Sequence, residues 1–337
     1  MSGRSTTRPL PSLAFRRLRA FTIVMLAVAL LVTVVHLLGR PDATPPSAAP
    51  AATTTTAGAG AGGSSPSGST PATTPADDPS PTEVAETGTP AATPPAAPDP
   101  ARARAIEDAV DDWHAQESGH LAVVVTDLQT GRTTSYGDEG HKFSTASIVK
   151  VDILATLLLQ EEGRLSSTQR AVAARMIRQS SNADATTLWR EIGRERGLAA
   201  SNKTFGLTGT KGGTQGTWGL TTTTAADQAR LLRVVFTDDS PLSADARSYV
   251  QSLMGSVEAD QDWGVSAADS RGDTHAYVKN GWLPRTGGWI VNSVGRVEHD
   301  GHPMLVAALS DGGATMSRGI TVLERVTKDA AEVASTT

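Results

Sequence analysis

The sequence predicts an α+β domain, one antiparallel five-stranded sheet covered by helices, carried behind a membrane segment and a long polar linker. Three observations predict it. Strand-like runs with turn residues between them number two at the start of the globular part and three at its end. Helical periodicity fills the middle and both termini. The composition changes abruptly near residue 100, so only residues 101–337 hold the apolar content of one substantial core.

The first hundred residues divide into three stretches. Residues 1–19 contain Arg4, Arg8, Arg16, Arg17 and Arg19, and an almost uninterrupted apolar run follows from Ala20 to Leu38. Nineteen residues at about 1.5 Å rise cover about 28 Å, enough for a hydrocarbon core. The basic flank puts residues 1–19 in the cytoplasm and the rest of the chain outside. A cleaved signal peptide is the competing reading. No convincing small-x-small site follows Leu38, where Gly39-Arg40-Pro41 stand, so an uncleaved single-pass anchor over 20–38 is the expectation.

Residues 39–100 read as a disordered linker. Residues 41–100 hold 14 of the 19 prolines and no aromatic residue, and Val84 is the only apolar side chain there larger than alanine, prolines aside. Such a stretch cannot bury enough apolar surface to offset its ordering entropy. Extended at about 3.1 Å per residue, it would reach on the order of 190 Å, a span suited to crossing a cell wall. Gly58 to Gly63 formally fit G-x-G-x-x-G, but without a strand before or a helix after they are low complexity.

Charge and composition exclude several classes. The net charge is −5, and six arginines cancel six carboxylates within residues 1–100, so the acidity belongs to the globular part. A mildly acidic domain without a basic stripe argues against a nucleic-acid partner. With no cysteine, disulfides, thiolate metal sites and a cysteine nucleophile are excluded. No G-x-S-x-G and no H-E-x-x-H occurs, and nothing calls for a metal or cofactor.

In chain order, residues 101–116 read as a helix, with Ile106, Val110 and Trp113 at helical spacing. Leu121 to Leu128 and Arg132 to Tyr136 form a hairpin about Gln129-Thr130-Gly131. Residues 146–162 form a strongly apolar helix, and 168–193 a helix broken near Ser180-Ser181-Asn182. A Gly/Thr-rich loop, 206–222, precedes helices over 224–236 and 243–254. Strands 275–280, 288–297 and 303–310 follow, the last pair turning at His299-Asp300-Gly301-His302, where Asp-Gly between strands reads as a turn rather than a metal or triad fragment. A helix over 316–333 closes the chain. Trp189, Trp263 and Trp289 are expected in the core.

The chemistry begins at Ser147-Ile148-Val149-Lys150. On a helix, residues i and i+3 share a face, so hydroxyl and amine can meet. A serine needs a base to take its proton, and a lysine serves only if burial or a neighbouring cation lowers its pKa toward neutrality. The spacing alone is weak, since a surface lysine on an amphipathic helix gives the same string. Ser180-Ser181-Asn182 is the only S-x-N in the chain; it could relay a proton and bond a substrate amide, or simply cap the next helix. Lys279-Asn280-Gly281 ends a strand, where a lysine supplies charge for a carboxylate and a glycine admits substrate to the edge. Lys211-Gly212-Gly213 fits the same pattern but lacks strand character.

In this order the three motifs resemble the penicillin-recognising serine enzymes, class A β-lactamases and DD-peptidases. Phe143-Ser144-Thr145-Ala146, Met176-Ile177, Thr221 to Thr224, Trp263-Gly264-Val265 and Trp282 extend the resemblance through most of residues 101–337. It is closest to actinobacterial β-lactamase-like serine hydrolases. The resemblance implies a β-lactamase/DD-peptidase-like fold with an all-helical subdomain beside the sheet. It implies that Ser147 is acylated, Lys150 is its base and Ser180 passes the proton to the leaving nitrogen. Asn182 would hold the substrate and Lys279 read its carboxylate. Gly281 would admit it, and the N–H groups of Ser147 and Trp282 would form the oxyanion hole. Trp282 is expected at the cleft, and Arg285 or Arg296 could assist Lys279.

The departures narrow the expectation. Ser181 and Asn280 replace the usual middle residues, and the stretch from Ser147 to Ser180 is about half the usual class A length, so one rim of the cleft should be missing. Residues 196–226 contain no aspartate or glutamate, whereas class A enzymes keep a glutamate there to activate the deacylating water. Gln215 could position a water but is no base. The expectation is a membrane-tethered, extracytoplasmic serine hydrolase. It would form an acyl-enzyme with a β-lactam or a peptidoglycan-type amide and deacylate weakly. The alternative is a penicillin- or wall-peptide-binding protein without turnover.

Overall fold

The computed structural model describes residues 100–214, 216–272 and 276–336. The expected cytoplasmic stretch 1–19, the membrane segment 20–38, all but the last residue of the linker 39–100, and Gln215 lie outside the described residues. Among the described residues no helix is long and apolar enough to cross a membrane.

A central sheet is built from β1 (Leu121–Asp127), β2 (Thr133–Gly137), β5 (Tyr277–Arg285), β6 (Gly288–His299) and β7 (His302–Gly313), in the order β2-β1-β7-β6-β5 with every pairing antiparallel. Strand β1 is buried along its whole length, because helices cover both faces and its Leu-Ala-Val-Val-Val run has no polar side to show. On one face lie α1 (Pro100–Gln116) and α8 (Met316–Ser335), which also pack on each other; on the other lies α6 (Ala225–Phe236). The β6–β7 hairpin turns on Asp300 and Gly301, both with positive φ (49° and 85°), as a two-residue type I′ turn requires.

The rest is helical. Helix α2 (Val149–Gln160) is buried continuously from Val149 to Leu158, and α3 (Ser167–Arg178), α4 (Asn182–Glu191), α5 (Arg194–Phe205) and α7 (Ala244–Met254) all pack on it. A helix buried on all sides belongs in the middle of such a bundle, even though this one carries Lys150, Asp152 and Thr156 inside with its apolar residues. The five-stranded sheet and the helical subdomain are as the sequence predicts.

Four details differ. The helix expected over 146–162 begins as a 3-10 turn, Ala146–Ile148, so Ser147 precedes the α-helix proper. Lys279-Asn280-Gly281 stands in the middle of β5, because the strand runs on to Arg285 instead of ending at 280. Helix α5 was not foreseen. Its buried positions Leu198, Ser201, Asn202 and Phe205 keep helical spacing, but two are polar and hide the apolar pattern; Gly206, in the left-handed conformation after Lys203, was the available stop signal. Finally, β3 (Phe143–Ser144) pairs with β4 (Thr222–Thr223) in a small second sheet, tying the Gly/Thr loop to the segment before Ser147.

Candidate active site

Three elements converge on one serine. Ser147 lies in the 3-10 turn ahead of α2, Lys150 in the first turn of α2, and Ser180 in the break between α3 and α4. Lys150 Nζ stands 2.9 Å from Ser147 Oγ, 3.0 Å from Ser180 Oγ, 2.7 Å from the Ser180 carbonyl and 2.9 Å from Asn182 Oδ1. From β5, Lys279 Nζ reaches Ser180 Oγ at 3.1 Å and its neighbour's carbonyl, on Asn280, at 2.8 Å. The two amines thus bracket the Ser180 hydroxyl. Both lysines are fully buried, whereas Ser147 and Ser180 are half-buried and Asn182 is exposed, so solvent or substrate meets the hydroxyls and not the amines.

Burial decides the charge state. Desolvation first, then the nearby charge of Lys279, lowers the Lys150 pKa from 10.5 to about 6. Desolvation lowers that of Lys279 to about 7. Lys150 is therefore largely a neutral amine at neutral pH, with a lone pair available to the Ser147 hydroxyl.

The local backbone is held under strain to make these contacts. Ala146 and Ser180 have φ of 46° and 54°, a left-handed conformation uncommon for residues with a side chain. Around Ser180 the support is explicit. Ser181 N–H donates to the Arg175 carbonyl, the Ser181 side chain caps α4 at Asp184 N–H, and Arg175 grips Asp184 with two bonds of 3.0 and 2.6 Å. The two readings of Ser180-Ser181-Asn182 therefore apply to different residues: Ser181 is the cap, and its neighbours meet Lys150.

Gly281 explains its own identity. A Cβ there would stand 2.6 Å from Ser147 N, 2.7 Å from the Thr145 carbonyl and 2.8 Å from Ile148 N. The edge strand β5 thus lies directly against the nucleophile turn, and only glycine permits it. Asn280 points to the other side of the sheet, where its amide donates to the Gln261 and Trp263 carbonyls at 2.8 and 3.0 Å and fastens the loop behind β5. Trp282 is half-buried beside Trp263, with ring centroids 5.8 Å apart. Trp189 and Trp263 are buried as expected, but Trp289 is only half-buried. Arg296 lies over the Tyr277 ring and Arg285 is exposed at the far end of β5; neither meets Lys279. Lys211 is exposed in its loop.

Two residues at the site were not foreseen. Asn292 on β6, opposite Gly281, donates to the Ser144 and Thr145 carbonyls at 2.9 and 3.1 Å and so positions the approach to Ser147. A buried polar residue inside an apolar strand was its only signal. Trp218 places its ring 5.0 Å from Lys150 Nζ and donates through Nε1 to Thr186 Oγ1 at 3.1 Å. Nothing in its Gly/Thr-rich surroundings points to that position.

A family model described as the beta-lactamase enzyme family matches residues 102–181 and 167–334. The chain belongs to the beta-lactamase enzyme family. The motif triad therefore sits within a β-lactamase-like serine hydrolase. The solved structures it resembles include a class A beta-lactamase from Bacteroides cellulosilyticus, at 15% identity over 70% of this chain and 99% of that one, TM-score 0.59. A PBP-A mutant solved as an acyl-enzyme complex with penicillin G is similar at 19% identity, covering 73% and 100%, TM-score 0.60. A beta-lactamase from Streptosporangium roseum is similar at 17% identity, covering 69% and 100%, TM-score 0.57. At such identities the likeness is one of fold. No curated protein matches the chain.

Proposed function

We propose that this β-lactamase-like protein is an extracytoplasmic acyl-serine hydrolase, held at the cell membrane by residues 20–38 and reaching outward on the linker 39–100. Its substrate would be a β-lactam or a peptidoglycan-type amide. The observation that carries the reading is a dry amine, Lys150 Nζ, 2.9 Å from a half-exposed hydroxyl, Ser147 Oγ. Neutral Lys150 takes the Ser147 proton as Oγ bonds to the amide carbonyl carbon. The negative charge gathers on the carbonyl oxygen, which the N–H groups of Ser147 and Trp282 receive. Donors so placed contribute about 3–4 kcal/mol to the transition state. The C–N bond then breaks, Ser180 Oγ gives its proton to the leaving nitrogen, and the Lys150 proton replaces it along the 3.0 Å contact. Asn182 holds the substrate amide, and protonated Lys279 attracts the substrate carboxylate.

Release of the acyl group is the slow step in this reading. Residues 196–226 carry no carboxylate. An indole, Trp218, lies beside Lys150, and no carboxylate among the described residues enters the balance that sets the Lys150 pKa. A water attacking the ester would lack a strong base. The same observation favours the second reading, a penicillin- or wall-peptide-binding protein that acylates without turnover.

The full chain, incubated with a fluorescent penicillin and separately with a chromogenic cephalosporin, beside Ser147→Ala, tests both. A label that outlasts the incubation with slow cephalosporin turnover, both lost in the variant, is the expected outcome. A persistent label with no turnover selects the binding protein. No label at all would overturn the reading.

A further inference from the structure

Apart from the Ser147 site, the described residues contain one concentrated group of metal-ligating side chains. Three of the five described histidines meet two aspartates where α1 ends and β1 begins. His114 Nε2 lies 2.7 Å from Asp138 Oδ2, and His120 Nδ1 lies 3.3 Å from the same oxygen. His141 stacks on His120, with ring centroids 3.7 Å apart and planes inclined by 25°, and its Nε2 stands 2.8 Å from Asp311 Oδ2. The backbone is fixed around them. His120 N–H donates to Asp311 Oδ1 at 2.8 Å, and Leu121 N–H donates to Asp138 Oδ2 at 3.0 Å.

Exposed His–Asp pairs are common and contribute about 0–1 kcal/mol, so proximity alone would mean little. Three features go further. One imidazole nitrogen each from His114 and His120 and an Asp138 oxygen come from three separate segments, the end of α1, the turn before β1 and the loop after β2, yet all lie within 4.8 Å of one another. His120 Nδ1 is shielded from solvent and makes no hydrogen bond of good geometry, although it faces the carboxylate. The His120–Asp138 separation of 3.3 Å matches that between neighbouring ligands in a tetrahedral zinc site, about 3.3 Å for bonds of about 2.0–2.1 Å, and the 2.7 Å His114–Asp138 hydrogen bond would open by about 0.6 Å to admit the ion.

We propose that His114, His120 and Asp138 form a binding site for a borderline divalent transition metal, zinc foremost, with a water as fourth ligand. Two imidazoles and one carboxylate select zinc, nickel or copper over magnesium and calcium, which take oxygen ligands. The site brings its own outer shell: His141, itself fixed by Asp311, backs the His120 ring, and the Leu121 amide orients the Asp138 carboxylate. A bound ion would staple the end of α1 to the start of β1 and the loop after β2.

Zinc titration of the full chain by calorimetry, after removal of adventitious metal with a chelator, tests this. One saturable zinc site is expected, with affinity falling more than about tenfold in His120→Ala and in Asp138→Asn and unchanged in His302→Ala. Cobalt(II), used as a spectroscopic probe, should give visible ligand-field bands that the same two variants abolish, and excess magnesium should leave them unchanged. His120→Ala leaves both backbone hydrogen bonds in place, and a native thermal transition in that variant keeps its result interpretable. No saturable binding at millimolar zinc, or equal affinity in wild type and His120→Ala, would overturn the site.

Discussion

Lys150 and Lys279 lie against the same hydroxyl in a dry interior, where two ammonium charges side by side are strongly disfavoured. Lys150 yields first, with a pKa of about 6 against about 7 for Lys279, so between those values the neutral base and the charged carboxylate reader coexist. Acylation should therefore follow a bell in pH. Second-order acylation by a penicillin is expected to rise as pH passes about 6, where Lys150 loses its proton, and to fall above about 7, where the free enzyme's Lys279 loses its charge. Stopped-flow labelling across pH 5–9 measures it, and Lys150→Met should abolish the bell and slow acylation by about 10²–10⁴-fold. The closest packing at the site makes a second prediction. In Gly281→Ala the new methyl would press on Ser147 N and Ile148 N, both backbone atoms that cannot swing aside. The variant should lose about 1–3 kcal/mol of stability and most of its labelling, read from denaturant melts and gel fluorescence.

At the scale of elements, the break between α3 and α4 carries the strained Ser180, and Ser181 is its keystone. Ser181→Ala removes the cap and should cost about 1 kcal/mol, while slowing acylation more than that loss of stability explains, because Ser180 and Asn182 lose their fixed positions. Comparing melts with labelling rates separates the two effects. The sheet and most helices were legible because their residues carry strong local signals: the unbroken Val run of β1, the long apolar stretch of α2, the Asp-Gly turn at 300–301. What escaped has a common physical cause. Helix α5 buries Ser201 and Asn202, β3 and β4 span two residues each, and Asn292 and Trp218 act through contacts with residues far away in sequence. Ser147, Lys150, Ser180, Asn182, Lys279 and Gly281 were readable only as motifs in order, since each string alone has a commonplace explanation. The geometry adds that they meet.

For the whole molecule, the lysines set function against stability. An unfolded Lys150 titrates near 10.5 and the folded one near 6, so from about pH 6 to 10.5 the unfolded chain binds the extra proton and folding grows more favourable as pH rises. Lys150→Met removes this penalty. The variant should melt at a higher temperature than wild type at pH 7, and the difference should shrink toward pH 10, measured by circular dichroism. A destabilised variant at pH 7 would show that the amine's hydrogen bonds outweigh its desolvation. The central claim, that a lysine-activated Ser147 becomes acylated in a molecule poor at release, is tested most directly by intact-mass spectrometry of the full chain over time with benzylpenicillin. The account predicts one adduct per chain, mapped to the peptide containing Ser147, absent in Ser147→Ala and persisting after free antibiotic is removed. No adduct, an adduct on another residue, or loss of the adduct as fast as it forms would contradict it.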